Sequence, residues 1–73
     1  MENNLKNIRN SKNLLQTKVA IDLNTTQETI SSYETRLIFP NANMLIALAN
    51  YYNTSIDYLL CRTKYDLPIY VVK

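Results

Sequence analysis

The sequence predicts a compact all-α domain of five short helices followed by a short non-helical tail. Three observations favour this fold class. Apolar residues recur at helical spacing to about residue 62. Two segments, LNTTQETI (23–30) and YNTSIDYL (52–59), share a pattern in which one helix stops and another starts. The final stretch, LPIYVVK, is β-branched and contains a proline, which disfavours a helix.

Apolar periodicity places the individual helices. The first carries Leu5 and Ile8 among basic residues, and the second has Val19, Ala20 and Leu23 on one face. Beyond the third helix, a proline marks a loop, and the fourth and fifth helices are rich in Leu, Ile and Tyr. We expect Tyr51, Tyr52 and Tyr58 to pack in the core and at its edge rather than to stack on bases. We expect helices at residues 3–12, from 16 onward, and at 27–35, 43–52 and 56–61.

The two repeated segments contain the signals that end and begin helices. The chain has no glycine, so Asn24 and Asn53 are the best available residues for a left-handed helix end. Thr26 and Ser55 then offer hydroxyls that can accept hydrogen bonds from the first backbone N–H groups of the next helix. Residues 16–35 are therefore predicted to form a helix-turn-helix.

Length and composition exclude several classes of protein. Seventy-three residues suffice for one small domain with a modest core. With no histidine and with Cys61 as the only cysteine, we expect no metal, no cofactor and no disulfide. We expect Cys61, late in the fifth helix, to be a half-buried small apolar residue rather than a redox sensor. The carboxylates are dispersed and no glycine-rich loop is present, so we expect no enzyme. The apolar runs are too short to cross a membrane and the start, MENNLKN, does not resemble a signal peptide, which predicts a cytoplasmic protein.

A set of residues around the turn matches a known pattern, as do two segments that follow it. The turn matches at Gln16, Val19, Ala20, Leu23, Asn24, Gln27, Ile30 and Tyr33. In addition, YETRLIFP is similar to Tyr-Glu-x-Gly-x-x-x-Pro, and NYYNTSIDYLL is similar to Leu-Gly-Val-Ser-x-Asp-Tyr-Leu-Leu. Residues 5–62 thus resemble the phage repressor/Cro (Xre-type) family.

The resemblance implies a repressor-like, five-helix DNA-binding domain over residues 1–64. Residues 65–73 would form a tail that is either disordered or used for dimerisation. The implied partner is double-stranded DNA, read in the major groove by a homodimer. The resemblance also implies an ion pair between Arg9 and Glu34 that ties the first helix to the end of the third.

The segment after the third helix departs from the family pattern. Arg36 stands where the family has glycine, and Leu37 and Ile38 replace the usual basic residues. This weakens the phosphate contact expected from this loop, although Arg36 itself remains a candidate for one. The two apolar residues also predict an exposed patch of the kind that often marks an interface.

The outward face of the third helix holds the candidate base contacts. The amide of Gln27 can pair with the N6 and N7 atoms of adenine, and Glu28 can accept a hydrogen bond from cytosine N4. Glu28 is equally well explained as an acid that stabilises the first turn of the helix. Ser31 and Ser32 are short and can read bases only where the helix lies deep in the groove.

Contacts to the DNA backbone are expected from both helices and from the loops beside them. Because the resemblance implies that the start of the second helix touches phosphates, its side chains and free N–H groups are candidates. The predicted backbone contacts are Gln16, Thr17, Lys18, Thr26, Thr29, Lys12, Asn13 and Arg36.

Two functions remain open from the sequence. The first is a transcriptional regulator, more readily a repressor than an activator, that binds an inverted repeat as a dimer. The second is a protein-interaction module, such as an antitoxin, whose apolar tail LPIYVVK adds a strand to a partner protein. Deleting residues 66–73 distinguishes a tail that dimerises from one that binds another protein or has no role.

Overall fold

A computed structural model describes residues 2–66 of the chain. It contains α1 (Leu5–Ser11), α2 (Gln16–Asp22), α3 (Gln27–Glu34), α4 (Ala42–Tyr52) and α5 (Ile56–Leu59). Within residues 2–66 all regular structure is helical, which confirms the predicted all-α, five-helix class. Residues 67–73, which hold most of the predicted tail, lie outside the described part.

The five helices enclose one small hydrophobic core. α2 and α3 make the most extensive contact between helices in the described chain, and Ala20, which is buried, allows them to approach closely. Tyr52, the largest fully buried residue, confirms the prediction that this tyrosine packs in the core. Tyr51 and Tyr58 pack at the edge of the core, as expected. The core side chains are Leu5, Ile8, Val19, Ala20, Ile30, Tyr33, Leu48, Ala49, Tyr52 and Leu59.

Each of the five described helices ends in the same way without glycine. At each end, the N–H group of the residue after a left-handed residue bonds back to a carbonyl five residues earlier, and the N–H of the left-handed residue itself bonds to a carbonyl three residues earlier. This pattern is the Schellman motif, and it requires a left-handed residue at its centre. The residues in this position, with φ between 55° and 67°, are Asn13, Asn24, Arg36, Asn53 and Cys61. The prediction for Asn24 and Asn53 is therefore confirmed.

Side-chain caps begin three of the helices. The Thr26 hydroxyl accepts a hydrogen bond from the Thr29 N–H at 3.2 Å, and the Ser55 hydroxyl accepts one from the Tyr58 N–H at 3.0 Å. Both caps were expected from the repeated sequence pattern. The start of α4 is capped by Asn41, which extends this helix one residue beyond its expected beginning.

Three helices are shorter than the sequence predicts, α3 by only its last residue and α1 and α5 by two or more. α1 starts at Leu5 because the side chains of the two preceding residues bond elsewhere: Asn3 donates to the Tyr33 carbonyl at 3.0 Å and Asn4 to the Tyr58 carbonyl at 2.7 Å. α5 ends at Leu59, so Cys61 lies outside the helix and is exposed. The expectation of a half-buried cysteine late in this helix was wrong, because the left-handed turn at Cys61 ends the helix.

Candidate nucleic-acid interface

The outer face of α3 forms an open groove lined by Gln27, Glu28, Ser31 and Ser32. Ile30, on the opposite face, is buried in the core, as is Tyr33. Anchoring by these two side chains turns the four polar residues outward, since residues three and four apart share one face of a helix. The four predicted base contacts thus lie side by side, with Gln27 and Glu28 exposed and the two serines half-buried.

A buried ion pair holds the C-terminal end of α3 against α1. Arg9 Nε donates to Glu34 Oε2 at 2.6 Å, and Arg9 Nη2 donates to Glu34 Oε1 at 3.0 Å. The side chains of Arg9 and Glu34 are only 9% and 3% exposed. The hydrogen bond to Glu34 raises the pKa of the Arg9 guanidinium, which stays charged under all ordinary conditions. Arg9 also donates to the Leu14 carbonyl at 2.8 Å, which fixes the loop between α1 and α2.

The same carboxylate orients a chain of two amides that leads to the groove. Glu34 Oε1 accepts a hydrogen bond from Gln16 Nε2 at 3.0 Å. Because an ionised carboxylate only accepts, it turns the amino group of Gln16 inward and the Gln16 oxygen outward. That oxygen accepts from Gln27 Nε2 at 3.3 Å. Among the described residues, the Gln27 oxygen and its second N–H therefore have no partner, and the bond to Gln16 fixes their orientation.

The start of α2 offers backbone donors beside this chain. Its cap residue, Leu15, has no side-chain oxygen, so the N–H groups of Gln16, Thr17 and Lys18 have no cap partner. A second open groove is lined by Arg9, Leu15, Gln16, Thr17 and Gln27. Gln27 borders both grooves, so the candidate base contacts and the candidate phosphate contacts of α2 form one continuous surface.

Lys18 belongs to a polar cluster on the outside of α2. Its Nζ lies 3.1 Å from Asp22 Oδ1, and Tyr51 donates its hydroxyl to Asp22 Oδ2 at 2.6 Å. The hydrogen bond from Tyr51, followed by that from Lys18, lowers the pKa of the Asp22 carboxyl. Burial and the bond to Asp22 raise the pKa of Tyr51 to about 12. The cluster ties α2 to α4.

The remaining predicted backbone contacts differ in how available they are. The hydroxyls of Thr26 and Thr29 bond to each other at 2.9 Å, and Thr29 is half-buried, so together they keep one hydroxyl proton for an outside acceptor. Lys12, Asn13 and Arg36 are exposed but line neither groove. They follow the C-terminal ends of α1 and α3.

A family model described as helix-turn-helix matches residues 5–59. The chain belongs to the Cro/C1-type, Xre-like helix-turn-helix family. It is accordingly a DNA-binding helix-turn-helix regulator, and its family is not a family of enzymes. The comparison with curated proteins and the comparison with solved structures found no match.

Two features of this helix-turn-helix regulator were not foreseen from its sequence. The first is the role of Gln16, which was expected to touch the DNA backbone but also positions Gln27. The signal for it was present, because both glutamines are the first residues of consecutive helices. The second is the anchoring of α3 and α5 by Asn3 and Asn4, for which the sequence offers no signal.

The part of the regulator that the structure describes contains neither a membrane-spanning helix nor a cluster of metal ligands. Among residues 2–66 no helix has the length and apolar character needed to span a bilayer. In the same range, no three His, Cys, Asp or Glu side chains converge on a point where an ion could bind.

Proposed function

We propose that this regulator is a cytoplasmic transcriptional repressor that binds an inverted DNA repeat as a dimer, with α3 in the major groove. The observation that carries the proposal is the chain of hydrogen bonds from Glu34 through Gln16 to Gln27. It leaves Gln27 with one free oxygen acceptor and one free N–H donor. Adenine presents N6–H and N7, the matching donor and acceptor, at its major-groove edge.

The other residues of the surface have complementary roles in this proposal. Ser32, one turn beyond Glu28, is the better placed of the two serines for a base contact, and Glu28 reads cytosine or only stabilises the first turn. Phosphates are held by the uncapped start of α2, together with Lys12, Asn13 and Arg36. The ion pair of Arg9 and Glu34 contacts no DNA and fixes the position of α1 against α3.

The size of the site supports a dimer on a repeated sequence. Helix α3 has eight residues, and four of them line the groove. Four side chains read only a few base pairs, which cannot select one site in a genome. Two copies on an inverted repeat, with recognition helices about 34 Å apart, double the sequence that is read.

Repression is the simpler outcome of such binding. A bound dimer blocks polymerase by occupying the site, whereas activation requires a further surface that contacts polymerase. The alternative of an antitoxin-like module depends on residues 67–73, outside the described chain, and none of the described contacts favours it.

The decisive experiment is selection of binding sequences from random duplex DNA by the purified chain. We expect an inverted repeat to emerge, and Gln27→Ala to weaken binding and relax the preference at one base pair of each half-site, by about 1–3 kcal/mol. Asn50→Ala, an exposed amide on α4, is the matched control and should change neither affinity nor preference. An unaltered preference after Gln27→Ala would remove Gln27 from the interface, and no selected sequence at low salt would overturn the proposal.

The salt dependence of binding provides a second test. Three cationic side chains, Lys12, Lys18 and Arg36, are assigned to phosphates in each copy, giving six in a dimer. With about 0.9 counterions released per phosphate, the logarithm of the association constant should fall with the logarithm of salt with a slope of about −5. Lys12→Gln should reduce this slope by about 2 in the dimer, without altering the selected sequence.

A further inference from the structure

An exposed apolar patch follows the C-terminal end of α3. It consists of Leu37, Ile38 and Phe39, which are 80%, 53% and 56% exposed, and we call these three residues the apolar loop. The next residue, Pro40, is buried, so the loop is anchored where it ends while its large side chains meet solvent. A contiguous apolar patch of this kind commonly marks a binding surface.

The end of α3 explains why Leu37 has no apolar partner at the helix end, within the residues that the structure describes. Leu37 donates its N–H to the Ser32 carbonyl at 2.9 Å, as the last residue of the Schellman motif. An apolar residue in that position normally packs on the side chain of the residue whose carbonyl it binds, or on the one before. In α3 those residues are Ser32 and Ser31, both part of the DNA-reading groove. The polar character of the groove therefore leaves the apolar loop uncovered.

The charge distribution favours a second copy of the chain as the occupant. Residues 37–56, which contain the apolar loop and all of α4, include no Asp, Glu, Lys or Arg, whereas the chain as a whole carries a formal charge of +2. Two identical copies repel each other through their net charge, least so where the facing surfaces are uncharged. In a two-fold contact the same surface of each copy faces its counterpart. The apolar loop suits such a contact because it carries no charge that would repel the identical loop of the other copy.

The exposed area of the apolar loop is too small to hold two free copies of the chain together. At their observed exposures the three side chains present on the order of 350 Å². A stable interface needs about 800 Å² from each partner, so this contact is too small to hold two copies together in dilute solution. Two half-sites on one DNA duplex, by contrast, hold neighbouring copies at an effective concentration of about millimolar.

We propose that the apolar loop is the contact between two copies of the regulator on adjacent half-sites, and that the dimer assembles on the DNA. This inference rests on the proposed DNA-binding function. It adds that the free protein is monomeric and that the contact appears as cooperative filling of the two half-sites.

The test compares cooperativity with intrinsic affinity. The probes are the duplex selected by the wild-type chain and the same duplex with one half-site scrambled. The test variant is the double substitution Leu37→Gln with Phe39→Gln. Ile21→Gln is the matched control, because Ile21 is equally apolar and 75% exposed but lies on α2. Thermal melts check that each variant is folded.

We expect wild type to fill the second half-site between about 5-fold and 150-fold more tightly than the first. The double variant should bind the single half-site as wild type does and lose this cooperativity, and the control should retain it. Retained cooperativity in the double variant would overturn the proposal. Weaker binding of the double variant to the single half-site would also overturn it, because the apolar loop would then be touching DNA.

Measurements without DNA separate this proposal from the proposed function. In sedimentation at concentrations approaching millimolar, wild type should associate weakly and the double variant should remain monomeric. If wild type associates through the loop but selects no DNA, the surface is correct and the proposed function is wrong. The opposite result is a wild-type chain that selects only isolated half-sites and stays monomeric at every concentration. It would refute the proposed contact through the apolar loop and leave DNA binding intact.

Discussion

Replacing Glu34 by glutamine is the most direct test of how α1 and α3 are joined. The substitution keeps the size of the side chain but removes the charge that faces Arg9. In the native protein both partners are almost completely shielded from water, with 9% and 3% of their side chains exposed, and they share two hydrogen bonds. Glu34→Gln therefore leaves an arginine charge buried without its counter-charge.

The expected loss of stability is large for a domain of this size. Removing one partner of a buried pair typically costs about 3–5 kcal/mol. At about 0.05–0.15 kcal/mol per residue, a domain of this length has roughly 4–11 kcal/mol of stability in total. The single variant should thus lose a large fraction of its stability. The double variant Arg9→Met with Glu34→Met removes both charges and should be more stable than the sum of the single changes Arg9→Met and Glu34→Met predicts.

Urea unfolding, followed by circular dichroism at helical wavelengths, measures these differences. Lys18→Gln is the control, because its partner Asp22 is at the surface and the Lys18 side chain is 58% exposed; it should cost less than about 1 kcal/mol. If Glu34→Gln costs no more than this control, or if the two single changes are strictly additive, the buried pair does not join the helices as described.

Three further predictions concern the helix ends and the surface cluster. Arg36→Gly should raise the unfolding free energy by about 1 kcal/mol, because Arg36 is held at φ 67° where a side chain is strained; Asn53→Gly should change it less, and an equal gain at both sites would contradict the strain. Thr54→Val should also stabilise the fold, by about 1 kcal/mol in urea unfolding, since the buried Thr54 hydroxyl has no hydrogen-bond partner within the described residues; a loss would show that the hydroxyl is satisfied. In an alkaline absorbance titration compared with Tyr51→Phe, the Tyr51 phenol should ionise near its raised pKa of about 12. The stability that comes from neutral Tyr51 is therefore complete below about pH 10 and lost as the pH rises towards 12, and an ordinary pKa near 10 would refute the bond to Asp22.

Much of the fold was predictable because its signals are local. A left-handed asparagine followed by a hydroxyl cap defines the turn between α2 and α3 within a few residues, and the same signal recurs between α4 and α5. Ile30 and Tyr33, which match the family pattern, are both buried, and this places the polar groove outward. These features depend on residues close together in the chain, so they can be predicted from the sequence.

The features that were missed depend on groups distant in the chain. Asn4 bonds to a carbonyl 54 residues away, and the shared use of Glu34 by Arg9 and Gln16 requires three segments to meet at one carboxylate. The type of a single residue does not indicate which distant groups it will contact in the folded chain. The exposed Cys61 was missed for the opposite reason: the position is local, but cysteine is an unusual residue for a left-handed helix end and gives no hint of one.

The five glycine-free helix ends also affect the unfolded chain. Glycine at these positions would widen the range of backbone conformations open to the unfolded protein, and folding would then have to remove that additional freedom. Asparagine, arginine and cysteine keep the unfolded ensemble narrower, while the native state carries their torsional strain. The domain should consequently unfold with a smaller gain of backbone entropy than a counterpart with glycine at all five ends.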